Sequence, residues 1–407
     1  LKTKTEDRIM CIEQVDIYGF AFGGRAVGRR ENGKVCFVRG AVPGETVRVK
    51  ITADKKSYSE GCLESVLNES PLRVAAGCPN PCPGCSYAHV SYETELEWKQ
   101  RQMESFLVRG KLVEPGRIRK PLGADRRTRW RNKLKLSLEH DAQGGIHAGY
   151  RGEDNVSLIE IEDCPLAVEE IGEAFRRGEW KKDVTAADSS VTFRFTAADG
   201  VRWFTERSGS KSRLLTETIG GYGDFSVPET SFFQINSGMS GWLAERVVSL
   251  LESCRISHLV ELYCGSGCFS IIAAERFAGL KCSAVEIDPQ AIETAKRNAA
   301  LHGVSRQCRF IAGDAGKGMN RLFSGRLPQD SLLLADPPRT GIERRTLESV
   351  CRSGAAYLVY VSCSPDTLAR DLKFLNAAGY RVLESGLIDM FPSTAHFETV
   401  TLLKYVS

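Results

Sequence analysis

Two residues near the carboxyl end of the chain combine types suited to covalent catalysis on a ring. Cys363 stands in YVSCSPDTLARD, after an apolar run and two residues before Pro365, and Glu398 stands in STAHFETVTLL. A thiol is the side chain best suited to nucleophilic attack near neutral pH, because an appreciable fraction of it is already thiolate there. Its use is clearest on a pyrimidine. C5 of that ring is a weak nucleophile until a thiolate adds to C6, making an enolate that can take a methyl group from a sulfonium. The C5 proton must then leave before the thiolate can, which requires a base. Glu398, with a raised pKa, fits that need, and His396 is the rival base. Cys254, Cys282, Cys308 and Cys351 lack this flanking context and read as small core residues.

Further carboxylates recur at intervals that suit a ligand pocket. ELYCGSGCFS follows an apolar run, and Gly265 and Gly267 allow a tight turn and close approach of backbone to a ligand. It is not the full dinucleotide fingerprint, which argues against NAD. About twenty positions on, Glu286 and Asp288 lie where a carboxylate would accept from ribose hydroxyls. Glu286 is the choice, because Asp288-Pro289 reads as a helix N-cap with proline at the first helical position. Asp314 ends the next apolar run and suits an adenine amino group. Asp336 opens DPPRTG. Arg339 occupies the place where enzymes methylating exocyclic amines carry an aromatic ring, which argues against adenine N6 chemistry.

The chain holds 14 cysteines in 407 residues. Cys78, Cys82 and Cys85 crowd a loop rich in Pro and Gly with almost nothing apolar to bury them, and Cys164 precedes Pro165. Three close thiols and a distant one before proline is a pattern of iron–sulfur ligation, and a [4Fe–4S] cluster with a structural role is expected over zinc, for which only Cys82-Pro-Gly-Cys85 has the usual pair spacing.

These residues need elements to carry them. From about 231 the chain alternates strand-like runs (HLVELYC, KCSAVEI, CRFIAGD, SLLLADPP, YLVYVSC) with helical stretches, notably 289–302. This predicts a doubly wound, Rossmann-like α/β sheet, with ligands beyond the carboxyl ends of the strands. Residues 9–67 carry short β-branched runs between glycine turns, which predicts a small barrel of the OB kind. The expected division is a barrel at 1–70, a central β-rich, cluster-bearing domain at 71–230 with a helix near 92–115 that packs on the catalytic domain, and the catalytic domain at 231–407. Net charge is only +4, too small to announce a polyanion partner. Its distribution says more: 13 Lys and Arg lie between Lys99 and Lys135, against Glu104, Glu114 and Asp125. No apolar run of about eighteen residues exists, so no membrane span is expected. No leader peptide is visible, and the reading is of a cytoplasmic monomer.

Taken together, SFFQIN, LYCGSGCFS, DPPRTG, YVSCSPDTLARD, DMFPSTAHFETV and the four cysteines resemble the RNA uracil-5-methyltransferases, of the group acting on 23S rRNA, with the tRNA uracil-54 enzymes as close relatives. The resemblance covers nearly the whole chain. It implies a class I methyltransferase domain, an N-terminal TRAM barrel, S-adenosylmethionine as cofactor, Cys363 as nucleophile and Glu398 as base. It implies cofactor contacts from Gln234, Tyr263, Gly265, Cys268, Glu286, Asp314 and Asp336, with Asp336 also at the uracil edge, and cluster ligation by Cys78, Cys82, Cys85 and Cys164. The expected partner is RNA, rRNA before tRNA, with the target base flipped out of its stack. Cys268 stands where family members often carry Asn, Ser364 follows the cysteine where Asn is common, and the Cys78-x3-Cys82 spacing is shorter than in some relatives. The alternatives are a tRNA uracil-54 enzyme, a small-molecule methyltransferase, and a non-catalytic RNA-binding protein that keeps the fold.

Overall fold

The computed structural model describes residues 11–406 except 79, 81, 210–212, 324–326 and 329, and for 322 and 323 the backbone alone. The first ten residues of the expected barrel segment therefore lie outside the described residues. The chain groups into two compact units. The first comprises residues up to Gln102 together with 393–395, and the second comprises Met103–Pro392 and the rest of the C-terminal segment.

In the first unit five strands close a barrel in the order β1-β2-β3-β5-β4: β1 (Ile12–Phe20), β2 (Ala26–Arg29), β3 (Val35–Arg39), β4 (Thr46–Asp54) and β5 (Tyr58–Asn68). The alternation in β4 is the reason it forms. Val47, Val49 and Ile51 point inward, with Arg48 and Lys50 outward, which satisfies the period of two that a one-sided sheet requires. Val15, Ile17, Cys36 and Val38 complete the interior. The strand β2 has only the sequence AVGR, too short for the periodicity argument to detect. The helix α1 (Tyr92–Leu107) follows the cysteine-bearing loop.

The second unit opens with an antiparallel sheet ordered β10-β9-β6-β7-β8: β6 (Lys133–His140), β7 (Ile146–Arg151), β8 (Leu158–Glu160), β9 (Ser190–Thr196) and β10 (Gly200–Thr205), with α2 (Glu169–Arg177) between β8 and β9. A ribbon of β11 (Leu214–Thr218) and β12 (Asp224–Pro228) follows. Arg194 of β9 and Glu217 of β11 form an ion pair of 2.7 Å with both side chains almost wholly buried, and Arg194 also donates to the carbonyls of Pro228 and Glu229. Burial pushes the Glu217 carboxyl up, against the pull of Arg194.

The remaining elements are α3 (Ser237–Cys254), β13 (His258–Leu262), α4 (Cys268–Arg276), β14 (Lys281–Glu286), α5 (Pro289–Leu301), β15 (Cys308–Ala312), α6 (Ala315–Phe323), β16 (Ser331–Ala335), α7 (Arg344–Arg352), β17 (Tyr357–Ser362), α8 (Pro365–Ala377), β18 (Tyr380–Ile388) and β19 (Glu398–Tyr405). They build a seven-stranded sheet ordered β15-β14-β13-β16-β17-β19-β18. The strands β13 to β17 are parallel neighbours, while β19 runs antiparallel to both β17 and β18. All five residues of β16 are buried, as expected for a strand covered by helices on both faces. The expected Rossmann-like domain is present. The order reverses between β13 and β16, which opens a crevice at their carboxyl ends. No helix among the described residues is long and apolar enough to cross a membrane.

Candidate active site

The turn after β13 is built to bring backbone against a ligand. Tyr263 has φ 66, and Gly265 and Gly267 have φ 53 and φ 82. A tyrosine in the left-handed region is strained by on the order of 1–2 kcal/mol, so something must hold it. The amides of Tyr263 and Cys264 both donate to the Val285 carbonyl at the end of β14. A Cβ on Gly267 would fall 2.7 Å from the Phe310 ring, so this glycine is needed for packing. A Cβ on Gly265 would meet nothing within 4 Å, so this glycine borders open space.

Three groups that sequence reasoning passed over brace the site, two of them at this turn. Glu261, 1 % exposed in β13, accepts from the Ser270 amide at 3.0 Å and from the Ser270 hydroxyl, fastening the start of α4. Burial pushes its carboxyl up to about 8. The only signal was an acidic residue four positions before Gly265. Asn298 of α5, fully buried, donates to the carbonyls of Ser266 and Ser226 and accepts from the Ser226 amide. It ties the glycine turn to β12, a long-range role with no local signature. Asp371 of α8 supports the loop after β16 in the same way.

The predicted ligand-facing carboxylates arrive in series on neighbouring strand ends. Glu286 closes β14, half-buried, with its oxygens taking the amides of Gly265 at 3.1 Å and Asp288 at 3.0 Å. Asp288 accepts from the Gln290 amide as the N-cap of α5, as its sequence predicted. One oxygen of Asp314 accepts from the Lys317 amide in the first turn of α6. Gln234 lies in the segment before α3, and its Oε1 is buried with no partner among the described residues. Cys268 begins α4 and packs against the core, where burial pushes its thiol up.

Cys363 and Glu398 meet at the same edge of this crevice. The pairing of β17 with β19 ends at Ser362 opposite Thr399, and the Thr399 hydroxyl donates to the Ser362 carbonyl. Cys363 and Glu398 each lie one residue beyond that pair, so the alternation of the strands turns both toward the opposite face. The thiol is half-buried and is pushed up to about 12, by burial first and then by Glu398 and Asp336, with Arg339 pulling the other way. This corrects the expectation of a thiol already partly ionised. The physical reason is that its neighbours are two carboxyls in a place with little water. Glu398 is 5 % exposed, its Oε2 has no partner among the described residues, and burial with Asp336 nearby holds its carboxyl well above the ordinary range. Asp336 follows β16, and burial pushes it up to about 7. His396, the rival base, is half-buried with its ring edge-on to Phe391 at 6.4 Å.

Of the cysteines expected to ligate a cluster, Cys78, Cys82 and Cys85 belong to the first unit and Cys164 to the second. Cys78, Cys82 and Cys85 are half-buried in the loop before α1 and form no disulfide. Cys164 is buried, and the Tyr150 hydroxyl donates to its Sγ at 3.3 Å. Among the described residues no group of three or more His, Cys, Asp or Glu is placed so as to hold a metal ion.

Residues 220–406 match the family model described as tRNA (Uracil-5-)-methyltransferase, and residues 12–63 match that of the TRAM domain. An uncharacterized RNA methyltransferase of Halalkalibacterium halodurans is 28 % identical, covering 97 % of both chains. The 23S rRNA (uracil(1939)-C(5))-methyltransferase RlmD of Marinomonas sp. is 28 % identical over 97 % of this chain and 95 % of its own. The structure of Pyrococcus abyssi tRNA (uracil-54, C5)-methyltransferase in complex with S-adenosyl-L-homocysteine shares the fold. Its TM-score is 0.72 at 23 % identity, over 96 % of this chain and all of that one. With a thiol and a carboxyl at adjoining strand ends and a glycine turn over a carboxylate, the chain is similar over nearly its whole length to RNA (uracil-5-)-methyltransferases, its residues 220–406 matching their family model and residues 12–63 that of the TRAM domain.

Proposed function

We propose that this enzyme methylates C5 of a uracil in 23S rRNA, with Cys363 as nucleophile, Glu398 as base and Asp336 at the uracil edge. The observation that carries the reading is the unpartnered, buried Oε2 of Glu398 beside a half-buried thiol at the adjoining strand end. A dry carboxyl with a raised pKa is the kind of group that can accept a carbon-bound proton near neutral pH.

The pocket residues fit S-adenosylmethionine. The orphaned Gln234 Oε1 can accept from an ammonium group, open space lies over Gly265, and Glu286 presents a carboxylate where ribose hydroxyls would sit. Asp314, with one oxygen engaged by α6, keeps the other for an adenine amino group. Tyr263 and Cys268 line the same turn. When bound, this cofactor supplies an electrophilic methyl group. The chain supplies the rest. Cys363 loses its proton and adds to C6 of the flipped uracil. Asp336 and Arg339 flank the developing enolate. Glu398 takes the C5 proton, and the C6–S bond then breaks to release the thiolate. Because the thiol is held up in the free protein, uracil binding must drive its ionisation, with the thiol proton passing to the neighbouring Asp336 carboxylate and so leaving Glu398 to take the C5 proton.

RNA containing 5-fluorouridine tests this. The fluorine blocks proton removal, so the wild type should form a stable covalent adduct and Cys363→Ala should not. Absence of an adduct with the wild type would end the catalytic reading. Uridine methylation mapped in 23S rRNA and tRNA from a deletion strain distinguishes the proposed rRNA substrate from tRNA. The ligand set for a [4Fe–4S] cluster belongs to the same proposal. Cys78, Cys82, Cys85 and Cys164 are thiols free of disulfides, three of them in a loop of little apolar content, and their donor chemistry suits iron. Iron and sulfide analysis of anaerobically purified protein, with Cys82→Ala as control, decides it.

A further inference from the structure

The loop bearing Asp336 and Arg339 and the loop bearing Cys363 come from different strands. The chemistry proposed above needs their groups at a fixed separation. Backbone pairing does not provide this, because β16 and β17 pair only as far as Ala335 and Tyr360. Beyond those residues the strand pairing stops, and the start of α8 touches both loops.

Thr367, half-buried in the first turn of α8, places its hydroxyl 3.1 Å from the Arg339 carbonyl and 3.1 Å from the Ser364 carbonyl. One side chain thus touches both loops. A turn later Arg370 donates to the carbonyls of Thr340 at 2.9 Å and Ile342 at 3.4 Å. Asp371, fully buried, accepts from the Ile342 amide at 2.8 Å and the Tyr360 hydroxyl at 2.7 Å, and is paired with Arg370 at 2.8 Å. The loop is shaped to receive this clamp. Gly341 has φ 74, and a Cβ there would lie 2.6 Å from both Arg370 Nη2 and Asp371 Oδ2. The Ser362 hydroxyl, which donates to the Ser364 carbonyl and accepts from the Ser364 amide, braces the nucleophile's own loop.

We infer that the first two turns of α8 are a positioning element of the reaction: Thr367 couples the Arg339 loop to the Cys363 loop, and the Arg370–Asp371 pair anchors the far end of the former. None of these side chains needs to touch substrate. The inference rests on the reading of Cys363 as nucleophile and Asp336 as its neighbour in the site. Arg339 is the cation that favours ionised Cys363, against Glu398 from β19 and Asp336 from its own loop. Anchoring the Arg339 carbonyl therefore keeps its guanidinium near the thiol, and releasing it weakens that support.

The test compares Thr367→Val, Thr367→Ser and Arg370→Gln with the wild type in the intact protein. Two readouts are used: steady-state methylation of RNA, and the rate at which iodoacetamide alkylates Cys363 between about pH 7 and 9, followed on the Cys363 peptide by mass spectrometry. Thr367→Val should lower kcat between about tenfold and a hundredfold, the loss expected for a misplaced reacting group, with KM changed by about twofold or less. Its Cys363 should also alkylate several times more slowly at each pH. Thr367→Ser should restore both, because it restores the hydroxyl. Arg370→Gln, at a side chain 56 % exposed and so tolerant of exchange, should move both readouts in the same direction. Wild-type kcat and alkylation in Thr367→Val and Arg370→Gln would overturn the inference. Were the wild type unable to methylate RNA, the proposed function would fall, while the alkylation comparison would still decide whether α8 sets the environment of Cys363.

Discussion

Glu261 offers the sharpest quantitative test of how this site is built. It is 1 % exposed, accepts from both the amide and the hydroxyl of Ser270, and has its carboxyl pushed up to about 8 by burial. In the unfolded chain the same group titrates near the ordinary value of about 4.3. Between those values the folded protein holds a proton that the unfolded chain has released. Stability from this group is therefore fully present below about pH 4 and is lost as pH rises through about 8. The loss is about 1.4 kcal/mol per pH unit inside the window, or about 3.5 kcal/mol between about pH 5 and 8. Glu261→Gln removes the titration while keeping a neutral acceptor for Ser270, and its amide stands in for the protonated carboxyl. Urea unfolding of both proteins at about pH 5 and 8 isolates the effect, because every other titrating group is common to both. The variant should lose about 3.5 kcal/mol less than the wild type over that interval. Equal losses in the two proteins would refute the claim that β13 carries a protonated glutamic acid beneath the glycine turn.

Three further outcomes follow from the same structure. Asp336→Asn should speed alkylation of Cys363 above about pH 7, where the native carboxyl is charged and opposes the thiolate, while abolishing methylation. An unchanged alkylation rate would show that Asp336 does not act on the thiol. Gly341→Ala forces a Cβ to within 2.6 Å of the Arg370–Asp371 pair at φ 74, and should lower stability by about 1–3 kcal/mol and reduce kcat, both measurable on one preparation. Arg194→Met leaves the Glu217 carboxylate buried without its cation and should cost about 3–5 kcal/mol at pH 7 in chemical denaturation. Arg194→Met combined with Glu217→Leu should recover much of this.

What the sequence determined by itself was chemical type and order. Cys363, Asp336 and the glycine turn could be named because each follows an apolar run and Glu398 because it opens one, and the end of a buried strand is where an α/β sheet exposes side chains. The alternation of valines in β4 and the unbroken SLLLA of β16 likewise declared their elements, since burial on one face or two leaves a period in the chain. Short or long-range features left no such trace. The strand β2 is too brief to show a period, and the support given by Asn298, Glu261 and Asp371 depends on residues 9 to 72 positions away. Only the tertiary structure set the electrostatics. A cysteine beside proline looked ready to ionise, yet closing the sheet puts Glu398 and Asp336 beside it and takes water away, so the thiol is held protonated until something enters the site. A side chain's identity is local, whereas its pKa is a sum over neighbours that the fold alone brings together.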